Sequence, residues 1–262
     1  MGGKDRAPFH FLAEKGNNKG PARVMDAPGK AGEKGERNTM ITASAAFGTN
    51  YPGTFFGFMV IEGILNDPGN PAFEEKKAAL EEELRRRHRG KTRKDISRED
   101  PFQAYERYFR KFGQGYPVLH QVETVALKGK PLSSPSPLVA AAFMAELGNG
   151  FLTAGYDLDK VSLPLLLDVS RGGETYRAMG GRPRSLPKGD MFLSDREGVL
   201  SSIIYGPDAR SYITPGTTRA LFSIYGVPSV PAGRIRAHLE EIGELVALLS
   251  PGALRKEPVI LG

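Results

Sequence analysis

The 262-residue chain contains no cysteine and no tryptophan. The missing cysteine removes disulfides, thiolate nucleophiles and cysteine-ligated zinc from its chemistry. Histidine is scarce: His10, His88, His120 and His238 are scattered, with no close pair and no HExxH spacing, so no metal is expected. A glycine-rich phosphate loop and a GxSxG elbow are also missing, and no cofactor is expected. No apolar run approaches the roughly 18–20 residues that a membrane span needs. The first residues, Met1 to Lys4, lead into polar sequence rather than the apolar centre of a signal peptide. The sequence is thus read as that of a cytoplasmic protein with no membrane partner.

What is present is a basic chain, with a net charge of +6 and a pI near 9.4. Such a balance favours a polyanion partner. Residues 1–39 are rich in Gly, Lys, Glu, Asn and Pro, with few apolar positions after Leu12. They cannot bury enough apolar surface to offset their ordering entropy, so a flexible basic extension is expected there. Residues 40–262 then read as one domain, with a charged helix and loop over 71–98 as an insertion. Glycine and proline are plentiful, which suits many turns and short strands.

The run Phe55–Leu65 reads as a buried strand. Pro71–Arg89 is acidic first and basic last, the charge order that a helix dipole favours, with Phe73, Leu80 and Leu84 as a narrow apolar seam. Its end, Arg85, Arg86, Arg87 and Arg89, forms with Lys128 and Lys130 the candidate RNA-binding set, since clustered cations form the usual phosphate footprint. Phe102, Tyr105, Phe109 and Phe112 recur at helical spacing and read as core. Val118, Val122 and Val125 suggest a short helix. Ser136-Pro137 opens another, because serine caps free amides and proline fits the first turn; Gly148-Asn149-Gly150 stops it. Downstream, 163–169 and 174–179 flank Arg171-Gly172-Gly173 as one expected hairpin, and 191–193 and 199–204 flank Ser194–Gly198 as a second. Gly180-Gly181 reads as a turn. Thr214-Pro215 is expected to open a short helix reaching Tyr225, and Pro231 the last helix, with Ile235, Leu239, Ile242, Val246 and Leu249 on one face. His120 and His238 are expected at surface or boundary positions. The pattern implies an α+β fold with a layered, strand-rich core and flanking helices.

Three ordered blocks carry a resemblance. They are LKGKPLSSPSPLVAAAFMAELG (127–148), LTAGYDLDKV (152–161) and the segment from Leu186 to Gly226 that includes SDREGVLSSIIYG and TPGTTRALFSIYG. The second is similar to a GGYDLDKI or HAFDLDRL string. Together they resemble the B3/B4 family, the tRNA-editing domain of phenylalanyl-tRNA synthetase β chains, here as a free-standing member. The likeness implies hydrolysis of the ester joining a wrong amino acid to the terminal ribose of tRNA, with tRNA as partner. Carried across, the HAFD block falls on Thr153, Ala154, Gly155, Tyr156 and Asp157. The strand and turn beside the pocket fall on Ser201, Ser202, Ile203, Ile204, Tyr205 and Gly206, and the helix wall on Thr217 to Ser223. Two positions depart from the pattern: a histidine becomes Thr153, and an acidic residue that senses a tyrosine hydroxyl becomes Ser223.

An aminoacyl ester is already activated, so positioning a water and the carbonyl suffices. Thr153, Gly155, Ser202 and Gly206 are the candidate catalytic set, with backbone amides near the two glycines as oxyanion donors. Ala154, Tyr156, Ser201, Tyr205, Asp208, Arg210, Thr218 and Ser223 are the candidate substrate-binding set. Asp208 could anchor the substrate ammonium, and Arg210 could pair with it or with phosphate. Plainer roles stand beside these: a local salt bridge for Asp208 and Arg210, a helix cap for Asp157, hairpin-loop positions for Asp195 and Glu197. The expectation is one cavity between two glycine-bearing turns. A binding module without chemistry, or a scaffold, remains open.

Overall fold

A computed structural model describes residues 40–262; the extension expected over 1–39 lies outside the described residues. The chain opens with β1 (Ile41–Ala43) and α1 (Ala45–Asn50), and the apolar run then forms β2 (Phe56–Glu62). Helices follow: α2 (Pro71–Arg87), α3 (Arg93–Ile96), α4 (Phe102–Lys111) and α5 (Pro117–Val122), the last continuing into a π-helical turn over Glu123–Leu127. After α6 (Pro137–Asn149) come β3 (Thr153–Asp157), β4 (Leu165–Val169), β5 (Thr175–Arg177) and β6 (Pro183–Ser185). The strands β7 (Met191–Asp195), β8 (Gly198–Ser202), β9 (Gly206–Pro207) and β10 (Arg219–Tyr225) lead to α7 (Ala232–Leu249) and the short β11 (Leu254–Arg255) and β12 (Val259–Leu261).

The strands form two five-stranded sheets and one small hairpin. In the first sheet the order is β1-β4-β7-β8-β9, with β1 parallel to β4 and the rest antiparallel. In the second, β11, β2, β10 and β3 lie side by side, and β12 also pairs with β2. One face of this sheet meets the first sheet; α7 packs on β2 and β10, and α6 reaches β3. A continuous apolar core joins both sheets and the helices. The fold is α+β, in layers.

Local chemistry explains most of the elements. Asn70 caps α2 by accepting from the Phe73 amide at 3.0 Å, and Ser136 caps α6 through the Val139 amide. Gly150 stops α6 in the left-handed region, φ 79°, which glycine enters without a Cβ clash. The aromatic stripe of α4 is core, with Tyr105 stacked on Tyr116 at 4.8 Å between ring centres.

Two sequence expectations fail. Strands β4 and β5 do not pair: β4 lies between β1 and β7, while β5 pairs with β6 across the Gly180-Gly181 turn. The Arg171–Gly173 loop is instead closed by the Glu174 carboxylate, which accepts from the Arg171 and Gly172 amides and the Ser170 hydroxyl. The helix expected from Thr214 to Tyr225 is the strand β10, central to its sheet. Thr217 donates its hydroxyl to Asp157 at 2.9 Å and accepts from the Thr214 amide, which makes a turn where a helix start was read.

Candidate functional site

Strand alternation divides the predicted site residues. β3 is an edge strand, and successive side chains point to opposite faces. Ala154 and Tyr156 face the first sheet. Thr153 and Gly155 face the helices, where the Thr153 hydroxyl meets His238 of α7. Ser223 on β10 pairs with Ala154, so it shares the inner face and not the face of Thr153. The expected single cavity is two separate environments.

On the inner face the hydroxyls of Tyr156 and Ser201 hydrogen-bond to each other, and Ser201 Oγ lies 2.7 Å from the Tyr225 hydroxyl. All three side chains are buried, as is Ser223, whose hydroxyl has no hydrogen bond among the described residues. Ser202, also buried, accepts from the Tyr205 amide at 3.0 Å. Tyr205 carries the Arg184 guanidinium over its ring. Nearby, Asp190 is wholly buried; burial pushes its carboxyl up to about 7, against the hydroxyls of Ser202 and Tyr108. Tyr108 donates to Asp190 at 3.0 Å. The hydroxyls of Tyr156, Ser201 and Tyr225 tie the two sheets together away from solvent.

The other face holds a chain of polar contacts that begins at half-buried Thr153. Thr153 Oγ1 lies 2.8 Å from His238 Nε2, and His238 Nδ1 lies 2.6 Å from Asn149 Oδ1. Asn149 donates its amide to Glu241 at 2.7 Å and accepts from the Phe151 amide through the same Oδ1. These partners fix the amide orientation: an oxygen faces His238, so Nδ1 carries the proton and Nε2 accepts from Thr153. Burial pushes His238 down to about 3, so the imidazole stays neutral and its lone pair stays available. Glu146 accepts from the Thr153 amide at 2.7 Å, and burial pushes its carboxyl up to about 8. An oriented hydroxyl–imidazole–amide series is the geometry that activates or aims a nucleophile. The low basicity of His238 makes it an aiming group: it holds the hydroxyl proton in place and leaves the threonine lone pairs for a water or an ammonium.

His238 was expected at a surface or boundary and is 1% exposed. The signal was in the sequence: His238 falls three residues after Ile235 and four before Ile242, within the apolar stripe of α7. Glu146 likewise follows Ala142 by one helical turn on the packed face of α6. Neither Asn149 nor Glu241 carries a comparable mark.

The remaining predicted residues are dispersed. A Cβ on Gly155 would lie 2.7 Å from Ile213 Cδ1 and 3.3 Å from the Phe222 ring, so packed side chains fill the space in front of it. Gly206 sits at φ 77° on the edge of the first sheet, and its carbonyl accepts from Tyr176 at 2.7 Å. Asp208 is held in a turn by the Ser211 amide and hydroxyl, and Arg210 grips Asp195 with both oxygens at 3.0 Å, 3.5 Å from Asp208. Both thus make the local pairs of their plainer reading, and Asp157 caps the turn over Leu158–Lys160. Asp195 also accepts from the Glu197 and Gly198 amides, the hairpin role expected of it. Thr218 is exposed just before β10, where its carbonyl accepts from the Ile64 amide. Of the candidate RNA-binding cations, Arg85, Arg87 and Lys128 are paired with Glu81, Glu83 and Glu123. Arg86, Arg89 and Lys130 have no ion pair among the described residues. Among those residues no cluster of acids and histidines could hold a metal, and no helix is long and apolar enough to cross a membrane.

The sequence matches no protein-family profile, and it matches no curated protein. Among solved structures it is similar to an N-terminal fragment of the phenylalanyl-tRNA synthetase beta-subunit from Pyrococcus horikoshii, with a TM-score of 0.47 and 11% identity over 88% of this chain. The chain spans 56% of that fragment's length.

Proposed function

We propose that this protein hydrolyses the ester of mischarged aminoacyl-tRNA, with Thr153 as the group that aims the attacking water or the substrate's α-ammonium. The observation that carries the reading is the Thr153–His238 contact of 2.8 Å. Residues 152–161 resemble a string in which a histidine stands at this position, and here α7 supplies an imidazole to the threonine that replaces it. Thr153 is half-buried on an edge strand. The inner-face hydroxyls do not enter this mechanism, because they are sealed from solvent.

The reaction needs no covalent intermediate. Water adds to the ester carbonyl, the carbonyl–ribose oxygen bond breaks, and the ribose oxygen leaves with a proton. Placement of water and carbonyl is worth up to about 7–11 kcal/mol under ideal orientation. The same contacts also suit a module that holds the aminoacyl end without chemistry, since the space before Gly155 is packed and His238 is a weak base.

A deacylation screen over several mischarged tRNAs separates the two. Amino-acid release is expected, with Thr153→Val lowering kcat/KM by on the order of 10²-fold and Thr153→Ser retaining most activity. Because His238 is pushed to about 3, the pH–rate profile should lack a histidine inflection near its ordinary value of about 6.5. Retention of tRNA without release of amino acid would sink the hydrolase reading.

A further inference from the structure

We infer that the groove between α3 and α4 is a docking surface for an RNA phosphate backbone. The groove has a volume of about 390 Å³ and is lined by Lys94, Arg98, Arg107 and Arg110, with Ser97 and Gln103 as neutral donors and Glu106 as its one carboxylate. On α4, Gln103, Arg107 and Arg110 follow at spacings of four and three residues, which places them on one helix face. Lys94 and Arg98 face them across the groove. The row is a different set from the arginines at the end of α2.

Charge pairing marks the groove as a site for an anion. The acids around it are already engaged. Glu99 pairs with Lys91, Asp100 with Arg234, and the Asp95 carboxylate is taken by the Thr92 amide and hydroxyl. Glu106 lies between Arg110 at 2.8 Å and Arg93 at 3.9 Å. Lys94, Arg98 and Arg107 are exposed and have no carboxylate partner among the described residues. Most other helical cations nearby do have one, so these three leave a local positive excess in a concave surface.

The lining also selects the class of contact. It contains arginines, a lysine, a hydroxyl, an amide and one carboxylate already held by Arg110, but no aromatic ring. Such donors suit phosphate oxygens, and no aromatic platform is present for a base to stack on. The contact assigned to the groove is therefore with the backbone. Its position fits the proposed reaction: the Phe102 ring, at the start of α4, packs against Gly150, three residues before Thr153. Arg234 joins the same rim, pairing with Asp100 and lying over the Phe151 ring. A tRNA held by the groove would bring its terminus toward β3. The choice of RNA over another polyanion rests on the proposed function; the existence of the anion site does not.

The test is binding of uncharged tRNA across a salt series, with no hydrolysis involved. The variant Lys94→Gln/Arg98→Gln/Arg107→Gln is compared with Arg171→Gln/Arg182→Gln/Lys188→Gln, which removes the same charge around the β5–β6 hairpin. Each phosphate contact contributes roughly 0.7–0.9 to the slope of log affinity against log salt. The groove variant should lose about 2–3 from that slope and at least about tenfold in affinity at low salt, while the hairpin variant stays near wild type. An unchanged slope in a groove variant with native circular dichroism would overturn the inference, as would equal losses in both variants. Displacement of tRNA by polyglutamate of equal charge as effectively as by RNA would overturn the choice of RNA and point to an acidic polypeptide. If wild type binds tRNA through the groove yet releases no amino acid, the hydrolase reading fails and this one stands.

Discussion

Thr153 shows how much a single side chain's meaning depends on what faces it. By sequence it is a hydroxyl where a related string has a histidine. In the fold it is half of a pair with His238. Two buried serines make the complementary point. Ser201, on β8, bonds to both Tyr156 and Tyr225, whereas Ser223, on β10 of the facing sheet, has no hydrogen bond among the described residues. Removing one partner of a satisfied buried pair leaves the others unmet, at about 1–3 kcal/mol, while removing a hydroxyl that already lacks a partner relieves a penalty. Ser201→Ala is therefore expected to lower unfolding free energy by about 1–3 kcal/mol, and Ser223→Ala to leave it unchanged or raise it by about 1 kcal/mol. Urea denaturation of the two variants checks this. Equal losses would show that Ser223 is bonded after all, and neither change should alter deacylation if the inner face is only structural.

Elements with local chemistry were legible and those defined by distant partners were not. The starts of α2 and α6, the stripe of α7 and the turn joining β7 to β8 each carry their own instructions in caps, period or loop residues. β10 does not. Its residues Ala220 to Tyr225 are buried on both faces, so it shows no alternation, and the preceding Thr214-Pro215 imitates a helix start. The local bond from the Thr214 amide to Thr217 and the one from Thr217 to Asp157, sixty positions away, make that segment a turn. The candidate site fared the same way: Thr153 was legible as a position, but Asn149, Glu146 and His238 gain their roles only when α6 and α7 pack on β3. Asn70 joins both kinds of information. It caps α2 and also donates to the carbonyls of Leu248 and Leu249 at the end of α7, at 3.1 and 3.2 Å. Loss of a cap costs about 0.5–2 kcal/mol, and the lost ties to α7 add to it. Asn70→Ala should thus lower stability by about 1–3 kcal/mol, and Asn70→Asp, which keeps the cap but not the donor, by less. Thermal and urea unfolding would show the order; identical losses would mean that the ties to α7 alone matter.

For the molecule as a whole, the buried titratable groups pull stability in opposite directions with pH. His238 is pushed down to about 3. Between that value and its ordinary pKa of about 6.5 the unfolded chain binds a proton that the folded chain refuses, so stability falls as pH drops through this window. Glu146, at about 8, and Asp190, at about 7, behave oppositely. From their ordinary values of 4.5 and 3.8 upward to these, the folded chain holds protons that the unfolded chain has lost, so stability falls as pH rises. Carboxylates held low by cationic partners, such as Glu123 at about 2 beside Lys128 and Arg93, lose their contribution only in acid. The buried tyrosines are pushed above their ordinary range and do not titrate near neutrality. Above about pH 6.5 the two acids are thus unopposed by histidine. The protein should be less stable at pH 8.5 than at pH 6, with each acid contributing at most about 1.4 kcal/mol per pH unit while it titrates. Glu146→Gln keeps an acceptor for the Thr153 amide but has no proton to lose, so its decline over that interval should be shallower. Urea midpoints of both proteins at half-unit steps between pH 6 and 8.5 measure the difference. Parallel curves would mean that Glu146 is already ionised in the folded protein, and that the polar chain around Thr153 carries a negative charge at neutral pH.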